Sequence, residues 1–409
     1  MTKEYKDLIV GLDIGTAKTM AVVGELLPGG DLRLAGLGMA ASNGLKRGVV
    51  INIDATVSSI QQAIQEAELM ADCKITRVYT GITGGHIRGF NSSGMAAVNG
   101  REVTSADVAR VVNTASAVSI SSDQRLLLVE PQEYAIDGHD VREPVGMSGM
   151  RLEAKVHIVT GAQSAAENIV KCVRRCGLEI QYLMLHPLAS AQAVLSEDER
   201  ALGVVCVDIG AGTTDVAIYA GGAIRHTAVI PIAGDLITSD IAMALRTPTN
   251  DAEDLKLASG CAKQLLANAD GQVEVPGLGD RVPRTLSRQA LASVIEPRVE
   301  EIFEIVQQVV RDSGYEEMLS SGVVLTGGSA VMPGMVELGE DIFLKPVRRG
   351  VPRYSRALAD MVSGPRAATV MGLMEEARLA RERGNQVAQQ AGGVRSLLTR
   401  AKDFILGNF

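Results

Sequence analysis

The chain has no tryptophan, aromatic side chains make up only 3% of it, and no apolar run approaches the roughly 20 residues that a bilayer-crossing helix needs. A membrane span is therefore excluded. The opening stretch, MTKEYKDLIVGLDIG, has too short an apolar run for a secretory signal and leads straight into a motif. Positive charge is not in excess either, since the net charge is −8, and wholesale nucleic-acid binding is not expected. Cysteines are few, odd in number and scattered (Cys73, Cys172, Cys176, Cys206, Cys261), mostly inside apolar patterns, which suits a reducing compartment. Only Cys172 and Cys176 are close. Their spacing could hold a metal, but no His or Cys companion follows, and both fit the apolar stripe Ile169, Cys172, Val173, Cys176, so helix packing is expected. Together these features predict a cytoplasmic protein unless something attaches it to a membrane.

The 409 residues exceed what one hydrophobic core usually serves, about 250 to 300 residues, so two facing domains are expected. Residues 8–82 read as three apolar strands and then a helix with Val57, Ile60, Ile64, Ala67 and Met70 on one face. From 83 to 164 the texture changes to Gly-rich turns, a helix capped by Thr104 and Asp107, and strands such as RLEAKVHIV. In that strand Leu152, Ala154, Val156 and Ile158 alternate with Arg151, Glu153, Lys155 and His157, which puts His157 on the wet face. A helix over 165–176 closed by Gly177, the strand IQYLML and a second helix, ASAQAVLSEDER, follow. Further on come a helical segment to about 270, helices from Ser287 interrupted at Pro297, the strand GVVLTGG and a last helix, AATVMGLMEEARLAR.

The chain says one thing twice. LIVGLDIGTAKTMAVVG (8–24) and GVVCVDIGAGTTDVAIYAG (203–221) share Asp-Ile-Gly with a threonine six residues after the aspartate: Asp13 and Thr19, Asp208 and Thr214. Each copy reads as a strand, a tight turn and a second strand, a hairpin whose turn presents backbone N–H groups to an anion. Small residues at Gly15, Thr16 and Ala17, and at Gly210, Ala211, Gly212 and Thr213, let backbone approach phosphate. The aspartates cannot be phosphate ligands, because like charges repel. They fit a divalent cation, Mg²⁺, reached through its water. Two such turns would grip one polyphosphate across a cleft, with a third glycine pair in LTGGSAVMPG, Gly327 and Gly328, beside them.

This trio resembles the actin, Hsp70 and sugar-kinase superfamily, with phosphate motifs at Gly11 to Thr19 and Asp208 to Asp215 and an adenosine motif at Thr326 to Gly334. The resemblance implies a two-lobed actin-like ATPase fold of α/β class and ATP with Mg²⁺ as cofactors. It puts Lys18, Thr214 and Ser329 in the nucleotide site, Gly327 and Gly328 against the nucleoside, and Glu253 and Lys256 on the adenine side, where a surface ion pair is the alternative. Within the superfamily the chain is similar to the bacterial FtsA family, on IYAGGAIRHTAVIPIAGDLITSDIA, EVPGLGDRVPRTLSRQALASVIEPRVEEI, the insertion at 83–164, and the C-terminal segment. That similarity implies lobe 1 (1A) at 1–82 and 165–200, an inserted α+β subdomain (1C type) at 83–164, lobe 2 (2A) at 201–245 and 315–380, and subdomain 2B at 246–314. It further implies a protein that tethers polymers of the tubulin-like division protein FtsZ to the cytoplasmic face of the membrane at the division septum, self-polymerises, and recruits later division proteins. Arg298, following Pro297 at a helix start on the exposed side, is expected to bind the FtsZ tail, and Arg284 to serve self-interaction.

Residues 381–393 read as a flexible polar linker. Residues 394–409 form an amphipathic pattern, with Leu397, Leu398, Phe404 and Ile405 opposite Arg400 and other charges, suited to lie on anionic lipid. Hydrolysis needs a group that orients water. His186 and Gln192 stand near the place for one; His186 also reads as a turn residue before Pro187, and Gln192 as an ordinary polar helix residue. Slow or conditional hydrolysis is therefore expected. A sugar or acetate kinase would need a conspicuous base, a chaperone a peptide-binding β domain, and a pilus-assembly protein of the same fold is the nearest rival.

Overall fold

The computed structural model of the chain describes residues 7–390 apart from 99, 101, 280 and 355–357, with side chains as far as residue 384. The repeated sequence becomes a repeated topology. In the first sheet the order is Leu32–Ala41, Lys18–Leu26, Leu8–Ile14, Arg77–Ile82, Glu179–Leu185; in the second it is Ala223–Ile230, Thr214–Ala220, Val204–Ile209, Val323–Thr326, Val347–Arg349. Each sheet starts with two antiparallel hairpin connections and ends with two parallel pairings. Parallel pairing requires long crossovers. In the first lobe these are the helix Ile53–Ala71 and the insertion, and in the second the segment 231–322 and the helix Met335–Phe343.

Both sheets are covered on both faces, so Val204–Ile209 and Thr214–Ala220 are buried at every residue and are apolar except at Asp208, Thr214 and Asp215 beside the turn. One core lies under Ile53–Ala71, around Leu12, Ile60 and Ala67. Another surrounds Phe303 and Ile237 in the second lobe. The third joins the lobes: Ile9, Val22 and Tyr79 of one sheet and Cys206, Ala217 and Val324 of the other pack on Ala189 and on Val370 and Met374 of the helix Ala368–Gln390. Burying side chains of this size contributes about 1.5–3 kcal/mol each for the larger ones.

Residues 88–162 build a separate sheet in the order Arg88–Ala97, Arg151–Ala162, Gln124–Ile136, His139–Val141, with the helix Ser105–Ser116 packed on it through Val108 and Val111. Thr104 and Asp107 form the reciprocal cap that their spacing predicts. This sheet leans on the second lobe's outer strand. His157 Nδ1 lies 2.7 Å from Asn91 Oδ1 and its Nε2 lies 2.9 Å from Thr227 Oγ1. Asn91 Nδ2 donates to Arg225 O (3.0 Å) and Gln132 Nε2 to Ile224 O (2.7 Å).

His157 is thus fully buried, not on a wet face. Alternation correctly set it opposite Val156, but the second lobe covers that face, and burial, with His226 nearby, pushes its pKa down to about 3. Met70 is likewise 44% exposed, in the last turn of its helix, rather than on the buried stripe. The expected second helix is two, His186–Val194 and Glu197–Leu202, separated by Leu195 and the N-cap Ser196. The helix Arg288–Ser313 runs through Pro297 without interruption. An interior proline costs about 3 kcal/mol, and the buried row Leu291, Ile295, Val299, Phe303, Val306 on either side of it offsets that. Finally, the segment read as a linker from 381 continues as helix to Gln390, with Arg381 facing Asp7 and Arg383 facing Glu376 in ion pairs.

Candidate functional site

The two Asp-Ile-Gly copies fold into equivalent turns. Ile14 pairs with Thr19 and Ile209 with Thr214 at the strand ends. Gly15 N–H donates to Lys18 O (3.0 Å) and Gly210 N–H to Thr213 O (2.9 Å), so these glycines close the turns. Thr16, Ala17, Ala211, Gly212 and Thr213 are left at the wall of a cavity of ≈ 630 Å³ between the lobes. Thr19 and Thr214, by contrast, point inward. The Thr19 hydroxyl lies 2.8 Å from Ser42 Oγ, and the Thr214 hydroxyl donates to Ile232 O (2.7 Å). Both are completely buried, and the Thr214 hydroxyl fastens the turn instead of facing the cavity.

Three carboxylates, Asp13, Asp208 and Asp215, line the cavity floor. Burial holds Asp208 and Asp215 above the usual carboxylate range. Asp208 accepts hydrogen bonds from Ser190 and Thr369, and Asp215 Oδ1 accepts from Thr83 Oγ1 (2.6 Å). Asp13 Oδ1 is buried with no partner. Lys18 reaches over the floor to donate to Arg366 O; burial lowers its pKa, while Asp13 and Asp208 raise it. Among the described residues no three His, Cys, Asp or Glu side chains converge to cage a metal. Asp13 and Asp208 are carboxylates of the kind that could hold a hydrated Mg²⁺, which keeps several of its waters. Cys172 is buried in the first lobe's core and Cys176 packs against it.

The third glycine pair and the Glu253–Lys256 pair line the upper wall. Gly327 has φ +87° and would carry a Cβ only 2.2 Å from Asp208 Oδ1, so glycine is required there. Gly328 and Ser329 line the cavity, and the Ser329 hydroxyl donates to Gly210 O (3.0 Å). Glu253 and Lys256 do form an ion pair (2.6 Å), but they line the cavity beside Leu257, Met332 and Pro333 instead of sitting on an open surface. Lys256 is buried and donates to Thr238 Oγ1 (2.8 Å).

Sequence reasoning undervalued His186 and did not single out Thr83, Ser190, Asp215, Arg366 or Thr369, all in or against this floor. His186 is not a turn residue: it begins the helix His186–Val194 and lines the cavity. Gln192 lies outside it, accepting from Arg200 (3.1 Å). Arg298 is part-buried on the helix Arg288–Ser313 and ion-paired to Asp240 and Glu301, which corrects its placement on an exposed helix start. Arg284, in the hairpin of Gln272–Val275 with Arg284–Ser287, donates to Leu245 O (2.6 Å). Leu397, Leu398, Arg400, Phe404 and Ile405 lie outside the described residues; among those described, no helix is long and apolar enough to cross a membrane.

Two lobes with the same strand order and paired phosphate turns over one cleft define an actin-like ATPase fold. Among solved structures with this fold, the PilM-PilN type IV pilus biogenesis complex matches with TM-score 0.65 at 16% identity, over 90% of this chain and 98% of that one. MreB 5 of Spiroplasma citri bound to AMPPNP matches with TM-score 0.58 at 15% identity, over 94% and 100%. The family model described as cell division protein FtsA covers residues 205–372, and that of the SHS2 domain inserted in FtsA covers 84–160. The cell division protein FtsA of Pseudomonas aeruginosa is 53% identical over 98% of both chains. The chain belongs to the FtsA family of cell-division proteins.

Proposed function

We propose that this chain binds Mg·ATP in the interlobe cleft and tethers FtsZ polymers to the cytoplasmic face of the cell membrane at the septum, polymerising itself and recruiting later division proteins. The observation that carries the nucleotide reading is the pair of equivalent turns on opposite walls of one cavity, with three buried carboxylates beneath them. Thr16 and Ala17 from one lobe and Ala211, Gly212 and Thr213 from the other would hold the phosphates, with Lys18 over the floor. Asp13 and Asp208 would hold the hydrated cation, which supplies charge neutralisation at the phosphates when bound. Glu253, Lys256 and Gly327 to Ser329 would border the nucleoside. Hydrolysis would be slow, the nucleotide acting chiefly as a conformational ligand.

The membrane part rests on residues 394–409. A helix of that length spans about 24 Å at ~1.5 Å per residue and would carry Arg395, Arg400, Lys402 and Asp403, so it lies along a surface instead of crossing it. One copy binds weakly, and a filament presents many at once, which makes attachment firm. Arg298 would meet the acidic FtsZ tail after exchanging Asp240 and Glu301 for it, and Arg284 would contact the next protomer. The test is recruitment of purified FtsZ to anionic liposomes by the full chain with ATP. Recruitment is expected with the wild type and its loss with Leu398→Asp/Phe404→Asp; equal flotation of that double variant sinks the tether.

A further inference from the structure

The helix Gln163–Arg175 turns Ala166, Ile169 and Val173 inward, where all three are buried. Its outer face is charged: Lys171, Arg174 and Arg175 are exposed and follow Glu167 at helical spacing. With Arg125, at the start of the strand Gln124–Ile136, these cations line a groove of ≈ 500 Å³ that also includes the buried Val170. Four cations meet one carboxylate there, in a chain whose 48 acidic residues outnumber its 40 basic ones.

Helix stability does not account for this grouping. Arg174 and Arg175 in the last turn complement the helix dipole, but Lys171 stands three and four positions from them, a spacing at which like charges repel. Arg125 comes from the inserted domain. Gln163 N–H donates to Asp123 O (2.9 Å) where the insertion rejoins the first lobe, and that joint sets Arg125 beside the helix. Burial lowers the pKa of its guanidinium. Lys171 and Arg174 have no hydrogen-bond or ion-pair partner among the described residues, whereas the partly exposed Arg33, Arg110 and Arg348 are each matched to a carboxylate. Arg175 faces Asp54, which is 83% exposed, and Glu167 is already held by Gln163 Nε2 (2.8 Å).

We propose that this groove docks an acidic peptide segment of a partner protein, an inference independent of the nucleotide and tether readings. Side chains one helical turn apart stand about 5–6 Å from each other, close to the roughly 7 Å between alternate side chains of an extended chain. A segment with glutamate or aspartate at every second position therefore meets Lys171 and Arg174 in turn, with Arg125 on the opposite side. The chain's own ends do not suit the groove: residues 1–6 carry Lys3 and Lys6 against Glu4, and 391–409 carry Arg395, Arg400 and Lys402 against Asp403. A bilayer is flat, while these cations line a recess built from two domains. The net charge of −8 opposes a nucleic acid. The site is on the first lobe, whereas Arg298 is on the second, and its occupant bridges the inserted domain to the lobe it springs from.

The test uses the full chain and a labelled peptide of alternating glutamate and alanine, read by fluorescence anisotropy at low and at physiological salt. Lys171→Glu/Arg174→Glu should weaken binding by about tenfold or more, the scale of losing a charged hydrogen bond. Lys171→Gln/Arg174→Gln, which adds no repulsion, should lose less. Arg142→Glu/Arg349→Glu makes the same change in net charge at exposed cations elsewhere and should bind within about twofold of wild type. Bound peptide should also shield Lys171 from acetylation, but not Lys74, whose side chain is 80% exposed. Equal weakening in the two glutamate double variants would reduce the effect to overall charge and overturn the proposal, as would acetylation of Lys171 unchanged by peptide. So would a peptide that fails to bind while the groove variant loses flotation with anionic vesicles, which would make the occupant a membrane.

Discussion

Alanine at Gly212 tests whether the two phosphate turns act as one closed clamp. Gly212 belongs to the second lobe, and its missing side chain points at the first: a Cβ there would lie 2.6 Å from Thr16 Oγ1, 2.9 Å from Thr16 Cγ2 and 2.9 Å from Arg47 Cα. Carbon atoms pack at about 3.5–4.0 Å, so the turns must part by roughly 1 Å. Neither neighbour yields easily. Thr16 Oγ1 accepts Gly48 N–H at 3.0 Å, and the Arg47 contact is backbone in the left-handed region, at φ 49°. Overpacking of this kind costs about 1–3 kcal/mol. If the closed cleft bears all of it, Mg·ATP affinity falls by roughly 5- to 150-fold, at about 1.4 kcal/mol per decade. Calorimetric titration of the full chain measures this, alongside thermal melting without nucleotide to separate affinity from stability. Gly29→Ala, with no atom within 4 Å of the added carbon, is the control. Affinity of Gly212→Ala within twofold of both wild type and control would refute the idea that the turns must meet.

Asp13→Ala should lower Mg·ATP affinity while leaving binding of ATP in EDTA little changed, because the lost group serves the cation; an equal drop in both titrations contradicts that role. Glu199 tests a fastening far from the site. Burial alone would raise its carboxyl, but Arg348, at 2.6 and 2.8 Å, and Ser196 bring it down to about 2. A depressed folded-state value gives stability that is full above the unfolded value, near 4.5, and is lost as pH falls through 2. Glu199→Gln should therefore cost about 1–2 kcal/mol at pH 7, allowing for the partly exposed arginine, and less at pH 3; a pH-independent difference in denaturant melts would rule this out. Arg298→Gln should weaken binding of an FtsZ tail peptide roughly tenfold, as loss of a charged hydrogen bond does, and unchanged affinity by fluorescence anisotropy would end its assignment.

The paired turns were legible because the chain repeats itself, and the two copies fold alike and line one cavity. Gly327 was legible for a similar reason, as a glycine pair directly after a buried strand. What escaped the sequence depends on partners distant along the chain. Period-two alternation told correctly which side of its strand His157 occupies, but not that Thr227, 70 residues on, would cover that side. Ser190 and Thr369 are ordinary hydroxyl residues until folding brings both to Asp208. The Pro297 and linker readings failed because local propensity was outweighed by a continuous buried face in one helix and by ion pairs in the other. Arg298 looked free because Asp240, its partner, lies 58 positions away.

The inserted domain has a divided allegiance. By its covalent connections it is a branch of the first lobe, leaving after Ile82 and returning at the helix Gln163–Arg175. By its contacts it rides on the second: His157, Asn91 and Gln132 are bonded to the strand Ala223–Ile230. Thr83, at its point of departure, is clasped by Asp215 of the second phosphate turn, on the strand that pairs with this one. The domain is therefore geared between two bodies. Turning one lobe against the other must either shear that polar seam or swivel the whole domain about its two stems, so the surface it offers to the outside is set by how far the cleft is open.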